Sequence, residues 1–163
     1  SSFTHTLTYS FGSATGTIAT KTTSTSVSWT PPTSLATQIP NSTSGTCTLT
    51  CYTYNGNTLV GTSTTTVTLS VPASIKPTIT GITATRVDGT VPSAWGIYVQ
   101  TKSKVTLAIP GAAGAGGSTI SSYSITGGGL SYTASSVTTG FLNTSGSITF
   151  TGKGCDSRGG WWD

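Results

Sequence analysis

Residues 46–54 read TCTLTCYTY, and this stretch decides the fold class. Cys47, Leu49 and Cys51 alternate with Thr48, Thr50 and Tyr52, the period of two that a half-buried β-strand requires. Asn55-Gly56 beside Asn57 follows, and both residue types tolerate the positive φ of a tight hairpin, so the chain turns back there. Residues 59–71 supply the returning strand, with Val67, Leu69 and Val71 expected to face the core. Upstream, residues 4–11 (THTLTYSF) place Leu7, Tyr9 and Phe11 on one face; residues 12–14 turn the chain and 15–20 return it. Residues 25–30 (TSVSWT) are predicted to form a strand with Val27 and Trp29 inward, ended by Pro31-Pro32. Residues 33–41 are the only helix-like piece, a single connecting turn.

Downstream, residues 72–77 (PASIKP) read as a short, semi-rigid linker that favours an extended rod of beads. A second run of strand signals follows. Residues 78–87 carry Ile79 and Ile82 with Gly81 between them as a bulge signal, and Asp88-Gly89 opens a turn-rich excursion over 88–96. Residues 97–109 read as a long strand or bent pair with Val105, Leu107 and Ile109 inward, and 111–117 (GAAGAGG) as a flexible loop. Strands are expected over 119–126, 130–134, 137–142 and 147–153, the last with Ile148 and Phe150 inward. Residues 156–159 (DSRG) read as an Asx-type turn with Arg158 exposed. Seven or so short strands per unit, with turn signals every 8–12 residues or so, describe two tandem immunoglobulin-like or fibronectin-III-like β-sandwiches. Their expected bounds are 1–71 and 78–163, joined by 72–77. The second is expected to lack its last strand, because GGWWD stands where a returning strand belongs. An open sheet edge there invites strand addition from another chain.

Composition agrees with an all-β reading. Charged residues are 6% of the chain, against about 25% in ordinary domains. Glu is absent, Asp88, Asp156 and Asp163 are the only acids, and Ser plus Thr reach about 39%. Thr suits a pleated, half-buried surface and keeps its solvent face polar without charge. Low complexity alone would allow disorder, but Val, Ile and aromatic residues recur at strand spacing, which disordered chains lack. The seven bases are scattered, whereas nucleic-acid footprints need them clustered, so no nucleic-acid partner is expected. No stretch approaches the roughly 18 apolar residues of a membrane span, and no signal-peptide pattern opens the chain. Without an initiator Met and with a strand signal at its start, the sequence is expected to be a fragment or processed product of a longer polypeptide.

Several strings, in this order, resemble immunoglobulin-like repeat structural and tail proteins of tailed bacteriophages. They are residues 9–18 (YSFGSATGTI), 29–32 (WTPP), 38–45 (QIPNSTSG), 98–103 (YVQTKS), 118–124 (STISSYS) and 156–159 (DSRG). The resemblance covers nearly the whole chain. It implies a non-catalytic virion protein, located in the tail, whose partners are other virion proteins or copies of itself. In that pattern DSRG is followed by a basic or polar residue and a full last strand, from which GGWWD departs.

Chemistry-bearing residues are few. Paired carboxylates for glycoside hydrolysis must sit about 5–10 Å apart, and a triad would have to use His5, the only histidine, so no catalytic residue is expected. Cys47 and Cys51, four residues apart in a strand, are roughly 13 Å apart and cannot pair. The three cysteines read as small buried hydrophobes, and neither metal nor cofactor is implied. Aromatic residues are the remaining binding chemistry, because sugar rings stack C–H faces on Trp and Tyr. Trp95 with Tyr98, the ridge Tyr52 and Tyr54, and the pair Trp161 and Trp162 are the candidate contact residues for a glycan or partner. Against this, Trp95 can cap the core, and of Trp161 and Trp162 at most one can be buried in its own sandwich. The leading expectation is a virion spacer or host-surface contact module. The alternative is a glycan-binding module of a bacterial surface adhesin or carbohydrate-active protein, extracellular or cell-surface, with host cell-wall polysaccharide as partner.

Overall fold

A computed structural model describes residues 2–87, 92 and 95–163. The expected turn at Asp88-Gly89 lies outside these residues. The chain is all-β and folds as two compact units, Ser1–Ile75 and Lys76–Asp163.

In the first unit, β1 (Phe3–Phe11), β2 (Ala14–Thr22), β3 (Ser44–Asn55) and β4 (Thr58–Ser70) form one antiparallel sheet in the order β2-β1-β3-β4. Alternation on β3 sets the faces. Tyr9 lies opposite Leu49 and Leu7 opposite Cys51 across the β1–β3 ladder, and Cys47 lies opposite Val67 across β3–β4. Cys47 and Phe11 are buried on this face, together with Leu35 from the 3-10 turn Thr33–Gln38. Tyr9, Trp29, Ile39, Leu49 and Leu69 pack around them. The β3–β4 hairpin turns at Gly56, whose φ of 60° is the left-handed value that favours glycine. Burial pushes the Cys47 thiol above its ordinary pKa of 9.0, opposed by a backbone hydrogen bond from Ser10.

Two expectations fail in this unit. Residues 25–30 form no strand, and at Ser26 the neighbouring Ser24 hydroxyl takes up both backbone groups. Ser24 Oγ donates to the Ser26 carbonyl at 2.6 Å, and Thr22 Oγ1 accepts from Ser24 N–H at 3.0 Å. Trp29 still reaches the core by stacking on Tyr9, with ring centroids 4.8 Å apart, whereas Val27 stays exposed. Nor are there seven strands: among the described residues the unit has four, in one sheet.

The second unit divides its strands among three sheets. β5 (Thr78–Ile79) pairs with β8 (Ala112–Ala113). β6 (Thr83–Val87), β7 (Lys104–Ala108) and β11 (Ser136–Thr138) form the order β11-β7-β6. β9 (Ile120–Gly127), β10 (Leu130–Tyr132), β12 (Thr151–Asp156) and β13 (Trp161–Trp162) form the order β10-β9-β12-β13. Leu107, Ile109 and Ile125 are buried at the centre, with Ile79, Ile82, Val105, Tyr123, Tyr132, Val137 and Phe150 against them. Glycine alternation on β12 makes this packing possible. Gly152 and Gly154 are buried on one face, and a Cβ at Gly152 would fall 2.9 Å from Ile109 Cγ1. A Cβ at Gly154 would fall 2.6 Å from Ile79 Cδ1.

Five local expectations change here. Gly81, with φ of 84°, marks a hand-over between two sheets, since β5 and β6 pair with different partners. The long strand over 97–109 shortens to β7, because residues 99–103 turn: Ser103 is buried and its Oγ accepts from Val99 N–H at 2.9 Å. The strand expected over 147–153 begins only at Thr151, although Phe150 does pack inward. Likewise the strand expected over 137–142 shortens to β11. The missing last strand is present in short form, with Trp161 opposite Cys155 and Trp162 opposite Gly154. The β12 edge expected to be open is therefore covered at those two residues.

Two outcomes are expected. Gly152→Ala overpacks the Ile109 contact and destabilises the second unit by about 1–3 kcal/mol, read by calorimetry as a lowered transition of that unit. Iodoacetamide labels the half-exposed Cys51 and Cys155 well before Cys47, and peptide mass spectrometry reads the order.

Candidate functional site

The candidate aromatic residues fall into three separate places. Tyr52 and Tyr54 stand half-buried on the β3 face opposite Cys47. The Lys21 ammonium lies 5.4 Å from the Tyr54 ring centroid and donates to Asn57 Oδ1 at 2.6 Å. Register carries threonines across all four strands on this face. Thr17, Thr8, Thr50 and Thr64 form one row, and Thr15, Ser10, Thr48 and Thr66 the next. The ridge is thus the aromatic end of a hydroxyl-covered sheet face.

Trp95 and Tyr98 lie in the segment before β7, 63% and 40% exposed. Tyr98 is anchored at its polar end: its hydroxyl donates to the Leu142 carbonyl at 2.8 Å. Thr101 N–H donates to the same carbonyl at 2.8 Å, and Leu142 N–H donates to the Ser103 carbonyl at 3.1 Å. These bonds clasp residues 98–103 to 141–143. Leu142 is buried by the clasp while its neighbour Phe141 is turned out, 49% exposed, with Lys104 Nζ 4.7 Å from its ring centroid. Ile97 is exposed as well. Beside Tyr98 opens a shallow cavity of about 310 Å³, lined by Ala84, Val105, Leu142, Ile148 and Phe150 among others. The core-capping reading of Trp95 fails, since its ring faces solvent. Phe141 and Ile97 were not singled out in the sequence, because both fell inside expected strands (137–142 and 97–109) that the structure shortens, and the clasp on Leu142 leaves Phe141 turned outward.

Trp161 and Trp162 point to opposite sides of β13. Trp161 is half exposed, whereas Trp162 turns inward against Gly160 and its indole N–H has no hydrogen-bond partner. The expected exposure of Arg158 is wrong. Asp156, buried, accepts from Arg158 N–H at 3.2 Å and from Gly160 N–H at 3.0 Å through Oδ1, which closes the Asx-type turn. The Arg158 guanidinium then reaches back and donates to the Ala115 carbonyl at 2.8 Å and the Gly116 carbonyl at 2.6 Å. That clamp, with the β8 pairing, holds the glycine-rich segment 111–117 that was expected to be a flexible loop.

Ionisable groups gather little else. Among the described residues no three His, Cys, Asp or Glu side chains come together as a metal site. His5 Nδ1 shares a hydrogen bond with Thr53 Oγ1 at 3.0 Å and lies 3.9 Å from Cys51 Sγ. Asp163 pairs with Lys153 at 3.7 Å on the surface. No helix among the described residues is long and apolar enough to cross a membrane.

The arrangement is that of an all-β protein whose exposed chemistry is aromatic and hydroxylic. The model of the family described as "Siphovirus protein of unknown function (DUF859)" matches residues 1–163, and the chain belongs to that family. No curated protein and no solved structure matches the chain.

Arg158→Ala removes two charge-assisted hydrogen bonds and frees segment 111–117. A loss of about 2–4 kcal/mol from the second unit is expected, with faster amide exchange at residues 112–117 as the local readout.

Proposed function

We propose that the chain is a structural module of a siphovirus virion, a tail or fibre component that serves as spacer or host-surface contact domain. Membership of its whole length in a siphovirus family is the observation that carries this reading. Its action is mechanical and interfacial: hydrogen-bonded sheets resist shear, and hydroxyl-rich faces stay soluble without charge. In the second unit, three small sheets contribute to one core, and the chain hands over from β5 in one sheet to β6 in another at Gly81. Both features support an immunoglobulin-like sandwich there. Immunoelectron microscopy of purified particles tests the placement: labelling confined to the tail is expected, and particles devoid of the chain would overturn it.

A glycan-binding role is the second reading, favoured by the exposed strip Trp95, Ile97, Tyr98 and Phe141. Flat aromatic faces with a cation beside one of them suit the C–H faces and hydroxyls of a sugar. On this reading a host cell-wall polysaccharide array is bound by the chain, and Trp95→Ala or Phe141→Ala weakens binding by roughly tenfold each. Unchanged melting would separate lost contact from lost fold. An array left unbound would favour the spacer role alone.

A further inference from the structure

The first unit ends in two sheet edges that are built differently. The β2 edge is interrupted: its ladder with β1 is irregular between His5 and Leu7 and again between Leu7 and Thr8, and Lys21 sits on it with φ of 44°. Bulges and lysines are devices that keep edges from pairing with other chains. The β4 edge has neither along most of its length. Its ladder with β3 runs unbroken through ten pairs, from Ser44↔Ser70 to Thr53↔Gly61. Twelve of its thirteen residues are exposed, and none is charged or proline. Lys21, on the opposite edge, is the only charged side chain among residues 1–75.

We infer that β4 is a self-assembly edge, occupied by β4 of a second copy of this chain in antiparallel register about Thr64. The backbone supplies the first reason. Val71 N–H donates to the Thr43 carbonyl at 2.8 Å, directly beyond the Ser44↔Ser70 pair. Antiparallel ladders alternate, so odd-numbered residues of β4 turn their backbone groups toward β3 and Thr62, Thr64, Thr66 and Thr68 turn theirs outward. A two-fold axis through Thr64 sets outward groups against outward groups: Thr64 meets its own copy, and Thr62 meets Thr66 of the second copy. The side chains supply the second reason. Around Thr64 the strand reads nearly the same in both directions, TSTTT over residues 62–66, so like faces like: Ser63 against Thr65, Thr62 against Thr66. Electrostatics supplies the third. An isologous interface brings each charge near its own copy, and an edge without charges has nothing to repel. The sheet would then run continuously through eight strands, with its apolar face and threonine rows each extended across the axis.

This deepens the structural-module reading by naming its interaction surface, yet it stands on the edge geometry and fails separately from it. Sedimentation equilibrium of the full chain is expected to show a dimer. Thr64→Pro removes an outward N–H without touching the β3 ladder, and Thr64→Lys sets two cations across the axis; each should weaken association by at least about tenfold with circular dichroism unchanged. Thr64→Cys should give a disulfide-linked dimer under mild oxidation, because residues in a hydrogen-bonded antiparallel pair have Cα atoms about 5.5 Å apart, within disulfide reach. Thr68→Cys, away from the axis, should give no more than the parent's own cysteines. A wild-type chain that stays monomeric at about 0.1 mM overturns the inference. So does a dimer indifferent to both substitutions. Should either variant lose its fold, the cysteine pair decides: equal cross-linking at 64 and 68 overturns the assignment.

Discussion

Tyr9 lies across Gly16, Phe11 across Gly45, Ile109 across Gly152 and Ile79 across Gly154, each so close that a methyl group on the glycine would fall within about 3 Å of it. Both units depend on this seating of large side chains directly on backbone. The chain is poor in large apolar residues, and its buried clusters are small: Phe11, Leu35 and Cys47 in one, Leu107, Ile109 and Ile125 in the other. Bare Cα positions let these few side chains reach full van der Waals contact with a neighbouring strand. Tyr9 cannot swing away from Gly16 without losing its stack on Trp29, so the contacts constrain one another.

Hydroxyls do the work that charges do elsewhere. With ten formally charged side chains in 163 residues (seven basic, three acidic), the chain closes its irregular segments through Ser and Thr. Ser118, buried, bridges Ala115 N–H and the Ala115 carbonyl, and Thr139, also buried, accepts from Val105 N–H. Each such bond satisfies a backbone group that would otherwise be costly to hold away from water. The same residue types that stabilise strands as cross-strand neighbours also dissolve strands when they sit in the wrong place, as Ser24 does next to residues 25–30. Asp156 and Arg158 are the exception, two charged residues recruited to tie a turn to a remote loop.

Sheet edges separate the two ends of the molecule's sequence logic. β12 acquires a partner from the two tryptophans at 161–162, whereas β4 keeps a long, even, uncharged margin. The first outcome was hidden because two residues are too few to show alternation. The second was hidden because alternation reports which face is buried and says nothing about which strand lies outermost.

Sequence alone determined the all-β class, through period-two alternation on residues 46–54 and the Asn55-Gly56 turn, and it marked Leu107 and Ile109 as inward. These are local properties: successive side chains of a strand must point to opposite faces, whatever the strand pairs with. Tertiary structure decided which alternating segments became strands at all, since a strand exists only when a remote backbone meets its hydrogen-bonding groups. Residues 25–30 lost that competition at Ser26 to the neighbouring Ser24 hydroxyl, and residues 97–103 lost it to the turn around buried Ser103. The outward turn of Phe141, the half-buried clamp of Arg158 and the open margin of β4 were settled in the same way, by contacts between segments far apart in the chain.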